Sequence, residues 1–198
     1  MRIGQAATNA CSMRKNADSC INPLENAMHL EGSCHCRKVR FTVDAAEPVP
    51  FMRCYCSICR KTAGAGGYAI NLGAATHSMK VTGKRYLGIY RARLQDEAGG
   101  AKQVSEARRY FCSRCGSALW VWDPRWPELV HPHAGAIDTP LPPALENVHM
   151  MLGSKAPWVK VEGGAKDLLF DEGPSMSLAQ WHTARGLRSP SDEEAGPG

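Results

Sequence analysis

No stretch of about 18 consecutive apolar residues occurs in this chain of 198 residues, so no membrane-spanning helix is expected. The N-terminal region has Arg2 but lacks an apolar core, and Arg14, Lys15 and Asp18 interrupt what hydrophobicity there is. That argues against a secretory leader. An even cysteine count is missing too: nine cysteines cannot all pair in a disulfide framework, and a reducing, cytoplasmic setting is expected. The glycine-rich residues 62–67 lack the Lys-Ser/Thr ending of a phosphate loop. Between His77 and Gln95 there is no acid, while Lys80, Lys84, Arg85, Arg91 and Arg93 all fall there. Such a run suits an acidic partner such as nucleic acid, or basic strand edges that discourage edge-to-edge association. The absence of a recognisable helix or aromatic-stacking motif weighs against nucleic acid.

What is present is cysteine in clusters. Cys54-Tyr-Cys56-Ser-Ile-Cys59 places three thiols within six residues, which can converge only if the backbone turns sharply around one point. Zinc is the usual reason for such a turn, and three protein ligands leave one coordination position open. The pairs Cys34-His-Cys36 and Cys112-Ser-Arg-Cys115 supply four thiolates, enough to close a second site across 75 intervening residues. The expected partition is therefore four plus three, a saturated structural zinc and an open one, two per chain. The alternative is that one cluster is a redox pair or a packing group. A thiol entering the open position would lose its proton and become a nucleophile near neutral pH. Arg53, Arg60 and Lys61 flank the open cluster. Arg60, directly after Cys59, is the strongest candidate to offset its charge or to pair with a substrate carboxylate. His35 alternates with Cys34 and Cys36 and should point away from their metal. His131 and His133 have ligand-like spacing but equally suit a polar strand face. Trp120, Trp122 and Trp126 read as core and pocket wall.

Hydrophobic content of 43% and charged content of 22% are those of an ordinary globular protein, and a length of 198 residues fits one domain with tails or at most two small ones. Residues 1–27 show little periodicity and are expected to be a disordered extension upstream of the domain, with Cys11 and Cys20 given no metal role. A domain over 28–173 follows. Short strands are expected at 38–44, 68–72, 79–82, 86–92, 108–111, 118–122, 129–137, 148–152 and 158–161, with a loop at 95–103. Leu178, Trp181, His182 and Arg185 lie at helical spacing after Ser175 or Ser177, and Gly186 stops the run, so 174–188 should hold one short C-terminal helix. Residues 189–198 read as a loose tail.

Gly32-Ser-Cys-His-Cys36, Cys54-Tyr-Cys-Ser-Ile-Cys59-Arg-Lys and Cys112-Ser-Arg-Cys115-Gly116, in that order, resemble the glutathione-dependent formaldehyde-activating enzyme family, which also includes centromere protein V. The resemblance spans roughly residues 28–165. It implies a mainly β fold, a zinc-bearing β-tent of short antiparallel strands, and carbon-sulfur lyase activity that joins glutathione and formaldehyde into S-(hydroxymethyl)glutathione. It places the structural zinc on Cys34, Cys36, Cys112 and Cys115 and the catalytic zinc on Cys54, Cys56 and Cys59. Arg37 departs from the pattern, since many members have glycine after the second cysteine. The chain also ends in a shorter helical part than the formaldehyde enzymes lead one to expect.

Overall fold

The computed structural model describes residues 27–94 and 103–188. The segments expected to be unstructured at 1–27 and 189–198, and the loop at 95–103, lie outside these residues but for Ala27 and Gln103. The chain folds as mainly β structure, in short strands with few helices. The first part holds β1 (Met28–Ser33), β2 (Arg40–Ala45), β3 (Phe51–Cys54), β4 (Ala69–Asn71), β5 (Ala74–Ala75), β6 (Lys80–Thr82), β7 (Leu87–Tyr90) and β8 (Arg93–Leu94). After the break come β9 (Gln103–Val104), β10 (Arg108–Cys112), β11 (Ala118–Trp122), β12 (Leu129–Pro132), β13 (Asn147–Met150) and β14 (Leu168–Leu169). Two α-helices, α1 (Ser57–Ala63) and α2 (Leu178–Thr183), complete it.

Three sheets and one ribbon result, with strand orders β1-β2-β6, β5-β12-β11-β10-β7, β14-β13-β3-β4 and β8-β9. Strict alternation in β2 buries Phe41, Val43 and Ala45 on one face. With Leu30 and Val39 they pack on Ala74, Leu119, Trp120 and Val130 of the five-stranded sheet, and this is the main core. Each large apolar side chain so buried contributes about 1.5–3 kcal/mol. Phe41 meets Trp120 edge to face at 5.1 Å, and Tyr110 stacks on Trp120 at 5.0 Å. Gly32 belongs to this packing, because a Cβ there would lie 2.2 Å from the Phe41 ring and 2.7 Å from the Ala136 carbonyl oxygen.

Of the basic residues of 80–93, Lys80 lies on β6 at the edge of the three-stranded sheet and Arg93 on β8 of the ribbon, while Lys84, Arg85 and Arg91 fall in the connections between strands. Two ladders depart from the antiparallel rule, since β13 pairs in parallel with both β3 and β14. The strand expected at 158–161 is instead a turn, closed by the Val159 N–H on the Ala156 carbonyl at 3.0 Å. Val159 and Val161 pack toward Tyr55 while Trp158 stays 64% exposed, so the apolar alternation is real but carried by irregular backbone. Trp120 is core as expected. Trp126 is not: it lies in the turn after β11, 47% exposed, with Arg125 over its ring at 4.7 Å.

α2 begins at Ser177, whose side chain accepts from the Gln180 N–H while Gln180 returns a bond to the Ser177 N–H. This capping box fixes the helix start. The helix buries Trp181 against Met52 and Val148 of the four-stranded sheet. Glu146 accepts from the Trp181 indole at 3.0 Å and pairs with Arg185 on the same helix face. Among the described residues no helix is long and apolar enough to cross a membrane.

Candidate metal centres and the cleft beside them

Two turns meet at the first cysteine group. Cys34 and Cys36 follow β1, Cys112 closes β10, and Cys115 sits in the β10–β11 turn, all four sulfurs lying within 4.8 Å of one another. Cys34 Sγ is 3.5 Å from Cys36 Sγ, which is 3.8 Å from Cys112 Sγ. Sulfurs about 2.3 Å from a tetrahedral centre would be about 3.8 Å apart, so the group is of the size that could hold one metal ion. The backbone is shaped to aim the sulfurs: the Arg37 N–H bonds the Cys34 carbonyl and the Gly116 N–H bonds the Cys112 carbonyl, both at 2.8 Å. The Val39 N–H donates to Cys34 Sγ at 3.2 Å. The Ser117 hydroxyl, 3.3 Å from Cys115 Sγ, holds that thiol down to about 5, so a thiolate is favoured. His35 is exposed and takes no part in the group, as its alternation implied.

The second group is Cys54, Cys56 and Cys59, again with all sulfurs within 4.8 Å. The sharp turn required of it is the start of a helix. Cys54 ends β3, Cys56 caps α1 by accepting the Cys59 N–H at 3.3 Å, and Cys59 lies in the first turn of that helix. Hydrogen bonds from Cys54 and Cys59, aided by the backbone N–H groups of Cys59 and Ile58, pull the Cys56 thiol down to about 2. The same sharing with Cys56 pushes Cys54 well up. The shared hydrogen bonds thus favour Cys56 over Cys54 as the sulfur that carries negative charge. Cys54 and Cys59 are buried and Cys56 is only partly covered, so the group opens on the Cys56 side. No histidine or carboxylate completes it to four among the described residues.

Tyr55, between two of these cysteines, points the other way and is fully buried. Its hydroxyl donates to His149 Nδ1 at 2.8 Å, and His149 Nε2–H donates to Asp167 at 3.0 Å. Asp167 also receives the Asn147 N–H at 2.8 Å and the Gly164 N–H at 3.1 Å. This buried chain ties the cysteine turn to β13 and to the approach to β14. The sequence signal was available only in part: a residue alternating between two ligands must face away from them, but its partners lie about ninety residues on.

A cleft of about 660 Å³ begins one residue after Cys59, lined by Arg60, Lys61, Thr62, Tyr68 and His133 among others. A second hollow of about 400 Å³ shares Thr62, Ala118 and His133 with it and adds Arg109. Arg60 and Lys61 therefore line the cleft, whereas Arg53 does not, its guanidinium lying 5.4 Å over the ring of Tyr68, a cleft residue, and 3.5 Å from the Glu162 carbonyl. The two histidines separate: His131 bonds the Leu72 carbonyl at 3.1 Å, while His133 turns into the cleft with Nδ1 buried and unpartnered. Arg109 was missed in the sequence. It precedes Cys112 by three positions, and the register shift between Tyr110 and Phe111 upsets any simple alternation there.

Residues 29–151 match the profile described as "Glutathione-dependent formaldehyde-activating enzyme". A protein of Halomonas elongata provisionally given that name is 53% identical over 160 residues, covering 81% of this chain and 98% of its own length. The crystal structure of a Rhodobacter sphaeroides protein aligns with a TM-score of 0.43 and 25% identity over 57% of this chain and 91% of its own. The profile runs from β1 to the end of β13 and takes in both cysteine groups, and together with the Halomonas relative it shows that this chain belongs to the glutathione-dependent formaldehyde-activating enzyme family.

Proposed function

We propose that this chain is a zinc-dependent carbon-sulfur lyase that joins a thiol, glutathione foremost, to formaldehyde. The observation that carries the reading is the three-cysteine group, one ligand short of a closed shell and beside a cleft. Cys54, Cys56 and Cys59 would hold a zinc ion, which would supply the Lewis acidity that lets a substrate thiol react as its thiolate. In the reaction the thiol sulfur forms a bond to the formaldehyde carbon, the carbonyl π bond opens, and the aldehyde oxygen takes up the proton that the thiol gave up. The product is a hemithioacetal, S-(hydroxymethyl)glutathione when the thiol is glutathione.

The remaining parts have supporting roles. Cys34, Cys36, Cys112 and Cys115 have no vacancy to offer and would hold a structural zinc that fastens the turn after β1 to the β10–β11 turn. Tyr55, through His149 and Asp167, holds the Cys54–Cys59 turn in register. Arg60 and Lys61 bring positive charge to the cleft beside an anionic cluster. A reducing cytosol suits so many clustered thiols. The test follows hydroxymethyl exchange between glutathione and 13C-formaldehyde by NMR: the protein should carry two zinc ions and accelerate exchange above the spontaneous rate. No acceleration by the two-zinc protein would overturn the lyase reading.

A further inference from the structure

The two cysteine groups are aimed in different ways. At the four-cysteine group the aiming bonds belong to the turns themselves, from the Arg37 and Gly116 N–H groups to carbonyls and from the Val39 N–H to a sulfur. The three-cysteine group has instead a side chain buried behind it. Tyr55 lies between two of its cysteines and is 0% exposed, its ring packed with Ala156, Val159 and Tyr68. Its hydroxyl reaches His149, which is equally buried and stacks on the tyrosine ring with centroids 5.7 Å apart. The chain of bonds has one direction. Among the described residues every other partner of Asp167 is an N–H donor, from the backbone and side chain of Asn147 and the backbone of Gly164, so the carboxylate only accepts. His149 therefore carries its proton on Nε2, its Nδ1 is left as an acceptor, and the Tyr55 hydroxyl must donate.

We propose that Tyr55, His149 and Asp167 are positioning residues for a metal ion at Cys54, Cys56 and Cys59, and that they set how tightly this group holds its ion while leaving the four-cysteine group unaffected. A phenol fixed at its tip stops residues 54–56 from rolling about the chain direction, a motion that would swing Cys54 and Cys56 together away from Cys59. The Tyr55 N–H on the Met150 carbonyl at 3.0 Å holds one edge of the same turn, so backbone and side chain fix it from two points. With three protein ligands in place of four, ordering the sulfurs before the ion arrives has more effect on affinity. Partners that orient a metal ligand are worth about 10–100-fold in affinity, and because Tyr55 acts through the backbone the lower end of that range applies. The inference rests on a metal at the three cysteines but not on the lyase reaction. A brace that served the fold alone would lower stability and leave the metal affinity of the folded protein unchanged.

The experiment withdraws zinc from the folded protein with a graded chelator and follows cobalt uptake by its thiolate charge-transfer absorption, circular dichroism reporting whether each variant folds. Tyr55→Phe keeps the ring and removes only the hydroxyl; Asp167→Asn keeps the size and removes the charge. Cys56→Ala marks which ion belongs to the four cysteines. In Tyr55→Phe the ion of the three-cysteine group should be released at about tenfold lower chelator, and the other ion should shift by less than about twofold. Asp167→Asn should move the same ion in the same direction, and Tyr55→Phe decides alone should that variant fail to fold. One readout needs no variant: the 15N shifts of His149 in the wild type should show the proton on Nε2. The opposite tautomer, an unmoved three-cysteine ion in folded Tyr55→Phe, or equal loss at both groups overturns the proposal. Early release in Tyr55→Phe without accelerated hydroxymethyl exchange by the wild type would sink the lyase and leave the positioning role standing. Accelerated exchange with release unchanged would do the reverse.

Discussion

Arg37 and Gly116 hold the same left-handed backbone state, at φ 59° and φ 77°, each directly after the second cysteine of its pair. The two turns that meet at the four-cysteine group are thus built alike, and only one of them uses the residue that adopts this state without strain. Arg37 gains little in return: its guanidinium lies 3.9 Å from Asp138 with both side chains largely exposed, a pairing of small value. Arg37→Gly should stabilise the protein by about 0.5–1 kcal/mol. Gly116→Ala meets no atom within 4 Å, so its cost is conformational alone and should be about 1 kcal/mol in the opposite direction. Denaturant midpoints of the two variants check both signs.

Loss of one ligand should separate the two metal centres. Cys115→Ala opens the shell that fastens segments far apart in sequence, and the protein should become insoluble or strongly destabilised. Cys56→Ala acts on a single local turn and removes the α1 cap, worth about 1 kcal/mol. That variant should remain folded, hold one zinc and have no thiol-dependent activity. Zinc content and circular dichroism decide between the outcomes; equal unfolding of both variants would mean that the open site is assigned wrongly.

Stability in acid should report on Asp167. Burial alone would raise its carboxyl, but the N–H groups of Asn147 and Gly164 and the His149 ring outweigh it and hold the pKa at about 2. A depressed native value means that the contribution is complete above the unfolded carboxylate range, near 4, and disappears as pH falls through about 2. Stability of the wild type should therefore fall over this interval. In Asp167→Asn the limb should be shallower and the protein weaker at pH 7, because His149 loses an ionised acceptor. Urea midpoints between pH 2 and 7 measure it.

Trp181 tests whether α2 is part of the folded body. It is 4% exposed and packs on Met52 and Val148, so Trp181→Ala should cost about 3–5 kcal/mol. A helix merely appended to the sheet would tolerate the change with no shift in thermal midpoint.

The three-cysteine group was legible because its spacing is local, the four-cysteine group because each of its two pairs is and the pairs sum to four, and α2 because Ser177-Leu-Ala-Gln180 is a capping pattern just ahead of Trp181. α1 was not. It has seven residues, too few for a periodic apolar stripe, and its cap is a cysteine where serine or aspartate is usual. The parallel ladders were hidden for a different reason, since nothing in β3 indicates that its partner is β13 and not a sequence neighbour. Arg109 was hidden by the register shift beside it, and that the buried Nδ1 of His133 has no partner among the described residues is visible only in the coordinates.

The pairing of β3 with β13, and of the Tyr55 N–H with the Met150 carbonyl at 3.0 Å, sets a timetable for the newborn chain. Cys54, Cys56 and Cys59 leave the ribosome about ninety residues before the strand that shelters them, a delay of about 5–20 s at ordinary elongation rates. For that interval the three thiols are open to oxidants and to whichever metal is most available. Nascent chains stalled near residue 140 should react with a maleimide at Cys56 much faster than chains released at full length. Equal labelling of the two would show that the turn closes without β13.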